Sequence, residues 1–373
     1  MKKAIVFGSA SFIDGHIKIG INYIAEYLAN LGYETHYLSS WSSPLDLFSS
    51  SRRTRFKRAW LGKSPVSVRE NLWEWIIRVP FPTSRKAWLA DWQLELQKKF
   101  IPKYLTDNSY YLCIFDTSPT NIFVDSINAK KTIFRLNDLP EGFSYHFPEQ
   151  IIQSIRTVIS ENKVDEIVAV SHYLANYAKE INEDAKIRVV PNGVSLDAYK
   201  PLEITVSDRP KRAVFVGGIS PWVDIDLIAE TATLMPDWHF DLFGPIHIIS
   251  MPTLPTNINY QGTLPSDNIP NVLKNYAVGL IPFININGVV DPIERPLKYY
   301  EYLAAGLGIA ATDVGGLKKG MGESACYGNG SVNFKEAIEQ AFNKCQEENW
   351  CIARYELLKR MDWKDLVTEI ISE

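Results

Sequence analysis

The chain has 373 residues, 46% of them hydrophobic and 22% charged, which is too long for one ordinary core and enough for two. Its Gly and Pro are spread evenly, which argues against long disorder. The net charge of −4 hides an asymmetry: Arg52 to Lys103 carries 13 Lys and Arg against 4 Asp and Glu, together with five of the ten tryptophans (Trp60, Trp73, Trp75, Trp88 and Trp92). The four cysteines, Cys113, Cys326, Cys345 and Cys351, have no zinc-type spacing and read as the reduced thiols of a cytosolic protein. Lys2 and Lys3 precede only a short apolar run, and no apolar run approaches the roughly 20 residues of a bilayer span. The expectation is a protein that is soluble or lies on a membrane surface.

In chain order, Lys3–Phe7 is a buried strand entering the small-residue loop Gly8–Ser11. Ile21, Ile24, Ala25, Leu28 and Leu31 then recur at helical spacing until Gly32, and Glu34–Leu38 is the next strand. Strand, loop, helix and strand in some 35 residues form a βαβ unit of a parallel sheet. Tyr111–Phe115, Lys131–Arg135 and Glu166–Val170 continue it, with Asp116, Asp138 and Ser171 just past their ends, the edge where open α/β sheets bind ligands. Residues 195–212 read as a linker. A second strand-loop-helix series follows: Ala213–Val216 into Gly217-Gly218, Phe240–Phe243 into Gly244-Pro245, Ile258–Tyr260, Val278–Ile281 into Pro282-Phe283, and Gly308–Ala311. Tyr355–Ser372 reads as one amphipathic helical stretch.

In the segment Glu294–Glu301, Pro296 suits the first turn of a helix, and Leu297, Tyr300, Leu303 and Ala304 form its buried face. Lys298 then stands near the helix start, where the backbone dipole disfavours a cation. It makes sense there if an anion is bound, a diphosphate being the expected one; the plainer reading is a solvated surface lysine. Glu301, three residues on, projects from the same side. Gly217-Gly218 lets a ligand approach the backbone, or simply forms a tight turn. Gly244 and Pro282 are candidates for loops around a nucleotide, and Tyr260 for stacking on its base, unless it is a core tyrosine.

Val189–Val194, Phe215–Gly218, Phe243–Pro245, Val278–Phe283, Pro296–Gly306 and Ala311–Gly316, in this order and spacing, resemble the GT-B glycosyltransferases, chiefly the bacterial polysaccharide enzymes: family-four transferases and xanthan-type glucuronosyltransferases. The resemblance covers about half the chain, nearly all of it in the second half. It implies an α/β protein of two Rossmann-like domains facing across a cleft: residues 1–194 for the acceptor, residues 195–355 for a nucleotide-sugar donor, and a C-terminal helix, 356–373, packing back on the first domain. It implies that Lys298 meets the diphosphate and that Glu301 accepts hydrogen bonds from the donor ribose, with Leu297 and Glu294 in the same site. Family-four enzymes carry a second glutamate eight residues before the ribose one; here that position is Ile293, so Glu294 either fills the role through a shifted loop or caps the helix with Asp291.

By the same resemblance Asp138, in Phe134-Arg-Leu-Asn-Asp138, is the candidate general base that takes the acceptor hydroxyl proton. The alternative is a turn or capping aspartate, and Glu141 and Asp116 are weaker candidates. The loop bearing Asp14, Gly15 and His16 is expected to face the acceptor, although a lone histidine is often structural. The basic, Trp-rich window has three readings. One is a peripheral membrane surface, with Arg52, Arg53, Arg55, Lys57 and Arg58 on anionic lipid and Trp60 at the interface. The others are a nucleic-acid patch, which nothing else in the chain supports, and a solvated loop whose tryptophans are core.

The expected function is metal-independent transfer of a sugar from a nucleoside-diphosphate donor, UDP-linked, with UDP-glucuronate as one candidate, and with inversion. The acceptor is a hydroxyl of a lipid-linked glycan in cell-surface or exopolysaccharide synthesis, at the inner face of the cell membrane. No cofactor beyond the donor is expected, and no DxD motif stands in a suitable loop. The alternatives are a retaining family-four-type transferase, a GT-B-type sugar-nucleotide epimerase and a non-catalytic binding subunit. A dehydrogenase is disfavoured because no GxGxxG follows the first strand.

Overall fold

The computed structural model describes residues 1–13, 17–49, 52–62, 64–82, 87–143, 149–199 and 209–372. The chain divides into two compact units, Met1–Val190 and Pro191–Glu373.

The first unit contains β1 (Lys3–Phe7), β2 (Glu34–Ser42), β3 (Val66–Arg69), β4 (Leu72–Arg78), β5 (Ser109–Asp116), β6 (Asn128–Leu136), β7 (Glu166–Ala169) and β8 (Ile187–Val189). They form one sheet in the order β3-β4-β2-β1-β5-β6-β7-β8, parallel except for the β3–β4 pair. β2 and β5 flank β1 on opposite sides, so the chain reverses its direction of travel at β1, and the crevice of such a sheet opens at the carboxyl ends of β1 and β5. The strands at the centre are fully apolar because helices cover both faces: Ala4, Ile5, Val6 and Phe7 are all buried, and Phe7 stacks on Phe115 with ring centroids 4.5 Å apart.

Two of these strands come from the basic window. β3 and β4 form a hairpin around Asn71, which has a φ of 59°, and β4 pairs with β2. Trp75 faces the core, while Trp92 is exposed. The window is thus neither purely a surface nor purely a loop.

The second unit contains β9 (Arg212–Val216), β10 (His239–Phe243), β11 (Ile258–Gly262), β12 (Val278–Ile281), β13 (Gly308–Ala311) and β14 (Cys326–Tyr327). The order is β11-β10-β9-β12-β13-β14, and every pair is parallel. Here the reversal falls between β9 and β12. The expected single terminal helix is two, Glu348–Leu358 and Trp363–Ile371. The break falls where Asp362 caps the second, accepting from the Lys364 N–H at 3.0 Å, while the Trp363 N–H donates to the Val194 carbonyl. That second helix belongs to the second unit, as does Val194. All four cysteines are buried free thiols, and no helix among the described residues is long and apolar enough to cross a membrane.

Candidate functional site

In the second unit the site grows from the loops after β9, β10 and β12 and from the helix Leu297–Ala304. Pro296 stands immediately before this helix, with extended backbone, so Lys298 is its second residue. Tyr302 fixes the helix: its hydroxyl accepts from the Val216 N–H at 2.9 Å, and its ring lies where a β-carbon on Gly279 would stand, 2.2 Å from the ring Cδ2. The helix is thereby held against β9 and β12. Of the face expected to be buried, Tyr300, Leu303 and Ala304 are buried and Leu297 is partly exposed.

The Lys298 ammonium lies 4.4 Å from the Phe215 ring centroid and 4.8 Å from that of Phe283. Beneath it runs the backbone of Gly217: a β-carbon there would be 3.0 Å from Nζ. Among the described residues neither Lys298 nor Glu301 has a hydrogen-bond or ion-pair partner; they interact only through the mutual attraction of their charges. Burial pushes the Lys298 ammonium down to about 8, opposed by the Glu301 charge. Burial likewise pushes the Glu301 carboxyl up to about 7, opposed by Lys298. A partly buried cation at a helix start, with no hydrogen-bond or ion-pair partner among the described residues, is complementary to an anion.

The glycine loops fit this use. Gly217 and Gly244 have φ of +148° and +140°, and a β-carbon on Gly244 would fall 1.9 Å from the Gly217 carbonyl oxygen. The Gly217 N–H donates to the Phe243 carbonyl at 2.9 Å, so the two loops are laced backbone to backbone. Gly244→Ala is therefore expected to cost roughly 3 kcal/mol or more, from the clash and the left-handed φ together, read as a lower midpoint in urea unfolding. Gly218 borders the exposed ring of His247. Tyr260 is 40% exposed, and its hydroxyl donates to the Gly244 carbonyl at 2.8 Å, which holds its ring beside the loop. Pro282 is buried, and its carbonyl accepts from the Asp224 N–H at 2.8 Å. Glu294 is partly exposed and packs along the backbone opposite Gly316 and Gly320.

In the first unit, Asp138 follows β6 in a loop tied to the end of β5. Thr117 N–H donates to the Asn137 side-chain oxygen at 2.8 Å, the Thr117 hydroxyl donates to the Asp138 carbonyl at 3.4 Å, and the Asn137 amide donates to the Asp138 carboxylate. Asp116 and Arg135, paired across β5 and β6, are each 1% exposed. The Arg135 guanidinium reaches the start of the helix Gly20–Asn30, where a β-carbon on Gly20 would lie 2.9 Å from both of its terminal nitrogens. Burial and then the Asp116 charge push the Asp138 carboxyl up to about 7, against the pull of Arg135. Burial also raises Asp116 to about 7, against Ser118 and Arg135, while burial lowers Arg135 to about 10 despite both carboxylates. A carboxyl that titrates near neutrality at the carboxyl edge of a parallel sheet is poised for proton transfer. Glu141 is engaged elsewhere, accepting from Arg156 at 2.9 Å and Tyr177 at 2.8 Å.

Asp14, Gly15 and His16 lie outside the described residues. The loop before them is anchored: the Ala10 carbonyl accepts from the Tyr37 hydroxyl at 2.7 Å and from the Asn22 amide at 3.0 Å. Of the basic window, Arg52, Arg53 and Lys57 are exposed, and Arg55 and Arg58 half-buried. Trp60, expected at an interface, is half-buried, stacks on Phe56 at 6.1 Å and has its indole N–H buried. Arg135 and Tyr302 escaped the sequence reading. The signal for the first was an arginine inside the apolar run of β6; the second had none beyond helical spacing.

No family profile matches the chain. It is 25% identical, over 251 residues, to a Bacillus subtilis (strain 168) protein named by inference as the teichuronic acid biosynthesis glycosyltransferase TuaH; the match covers 61% of this chain and 60% of that one. Among solved structures, the sucrose-phosphate synthase of Thermosynechococcus elongatus superposes with a TM-score of 0.70 at 12% identity, covering 99% of this chain and 97% of that one. A mutant of S. aureus TarM in complex with fondaparinux, alpha-GlcNAc-glycerol and UDP superposes with a TM-score of 0.64 at 9% identity over 100% of both chains. These are glycosyltransferases of GT-B architecture, and the expected fold, two Rossmann-like α/β units, is borne out.

Proposed function

We propose, for a chain with the GT-B fold, that it is a glycosyltransferase of cell-surface polysaccharide synthesis whose second unit binds a nucleoside-diphosphate sugar, UDP-linked. The observation that carries this reading is the Lys298 ammonium seated against the Gly217 backbone at a helix start, without a hydrogen-bond or ion-pair partner among the described residues, and with Glu301 one turn on. Lys298 meets the diphosphate, and the Glu301 carboxylate accepts from the ribose hydroxyls. Tyr260 offers an exposed ring to the base. The teichuronic acid pathway for which the B. subtilis relative is named, and the UDP and glycan ligands of the TarM complex, support a UDP donor and a glycan acceptor.

In the reaction the acceptor oxygen attacks the anomeric carbon and the bond from that carbon to the diphosphate oxygen breaks. The acceptor proton passes to the Asp138 carboxylate, and the nucleoside diphosphate leaves with its charge met by Lys298. Attack opposite the leaving group with Asp138 as base inverts the anomeric centre. The lipid-linked form of the acceptor belongs to this same reading.

A thermal-shift panel of nucleotides tests it. UDP or a UDP-sugar at 100 times its Kd should stabilise the chain by about 2.7 kcal/mol, roughly 5 °C in Tm, and by more than any other nucleotide. A rise with NAD and none with any sugar nucleotide would end the reading.

A further inference from the structure

Residues 44–49 and 52–61 form a helical ledge on the first unit: the turn Pro44–Phe48, the helix Arg53–Phe56 and the wider turn Lys57–Leu61. Its inner side is anchored. The Asp46 carboxylate is 4% exposed and accepts from the Ser42 hydroxyl and the Ser43 N–H, both at 3.0 Å. Ala59 is fully buried, and its carbonyl accepts from the Arg78 guanidinium. The pieces are tied to each other: the Arg53 N–H donates to the Ser49 carbonyl at 2.9 Å, and the Arg53 guanidinium to the Leu47 carbonyl at 3.2 Å. The same pieces expose large apolar side chains. Phe48 is 79% exposed, Leu61 77%, Leu45 55% and Leu47 39%. Four large apolar side chains exposed within one short anchored stretch exceed the single scattered exposures of an ordinary surface.

The charges beside them are of one sign. The stretch carries Arg52, Arg53, Arg55, Lys57 and Arg58 against a single acid, Asp46, which is buried and paired with Arg52 at 3.2 Å. Arg52, Arg53 and Lys57 are exposed. Apolar side chains that sink a few ångströms into a boundary, flanked by cations that stay in the headgroup layer, are the composition of an interfacial membrane segment. Aliphatic Leu45, Leu47 and Leu61 have no use on a nucleic acid, whose grip comes from phosphate contacts and base stacking.

We propose that this ledge docks the first unit on an anionic lipid bilayer, through Phe48, Leu61, Leu45 and Leu47 inserted among the headgroups and Arg52, Arg53 and Lys57 on their phosphates. Phe48 and Leu61 are the anchors, in place of the inward-packed Trp60. The inference goes beyond the donor chemistry of the second unit and is separable from it.

Co-sedimentation of the whole chain with vesicles tests it. Vesicles of phosphatidylcholine containing a third phosphatidylglycerol should carry the protein down, those of phosphatidylcholine alone should not, and 0.5 M salt should weaken binding at least tenfold. Phe48→Ser with Leu61→Ser should cut partitioning at least tenfold with Tm unchanged, since both side chains are already in water. Lys57→Gln should cut it roughly fivefold, the worth of one cation at such a surface. Equal binding to both vesicle types, no binding to either, or variants that bind like the parent would overturn the proposal. So would a dimer in sedimentation velocity that the Ser variant dissociates, because the face would then belong to a second copy. UDP affinity measured on the same Ser variant should stay unchanged, so a failure of lipid docking and a failure of the donor reading register in different experiments.

Discussion

Replacing Lys298 with Ala is expected to cut kcat/KM by about 100- to 1000-fold while leaving Tm unchanged or higher. On the proposed reading the loss follows from removing the cation that meets the leaving diphosphate, an electrostatic contribution of about 3–4 kcal/mol to the transition state. The retained stability follows from linkage. The folded-state pKa of Lys298, about 8, lies below its unfolded value, so the fold holds that proton less tightly. Stability associated with the group is present above the unfolded value and falls as the pH drops through 8; at neutral pH the charged lysine is a net cost, which Ala removes. Lys298→Arg should not rescue: a β-carbon on Gly217 would already be 3.0 Å from Nζ, and a guanidinium needs more room than an ammonium. Steady-state kinetics and a thermal scan on each variant at pH 7 check both halves.

Asp138→Asn is expected to lower kcat by roughly 100- to 10,000-fold, the usual worth of a positioned base. In the parent, kcat should rise with pH and level off above about 7, because the base must be ionised and its carboxyl is held near that value by burial and by Asp116. Asp116→Asn removes the like charge, so the same limb should move to lower pH, a shift that a merely structural role for Asp116 does not produce. The stability sign is the reverse of a salt-bridged carboxylate. Both carboxyls have folded values near 7, above their unfolded ones. Their contribution is present below the unfolded value and is lost as the pH rises through 7, so Asp138→Asn should raise Tm at pH 8 and leave it unchanged near pH 4.

Much of the architecture was legible because buried parallel strands are short apolar runs ending in glycine or a carboxylate. Ala213–Val216 before Gly217 and Val278–Ile281 before Pro282 were found by that pattern, and both sit at the centre of the second sheet. β3 and β4 were hidden because β4 carries Glu74 and Arg78 among its apolar residues, and three neighbouring tryptophans drew the reading toward a surface. The hairpin signal was a single residue, Asn71, whose side chain tolerates a positive φ. Lys298 stood out in the sequence because a cation at a helix start opposes the backbone dipole, and the structure places it at that start. Arg135 obeys the same logic at the helix Gly20–Asn30, but its reach to that helix comes from the register of β5 and β6, which only tertiary structure supplies. Trp60 and Phe48 show the limit of composition. The two are twelve positions apart in one basic segment, and anchoring by Asp46 and Ala59 decides which of them faces water.

The claim on which the rest depends is that Lys298 receives a diphosphate, and calorimetric titration of UDP at pH 8 in two buffers of different ionisation enthalpy tests it most directly. An anion on the ammonium raises its pKa from about 8, so each UDP bound should draw up about half a proton, and Lys298→Met should lose both the uptake and at least tenfold in affinity. UDP binding without proton uptake, at the same affinity in the Met variant, would contradict it.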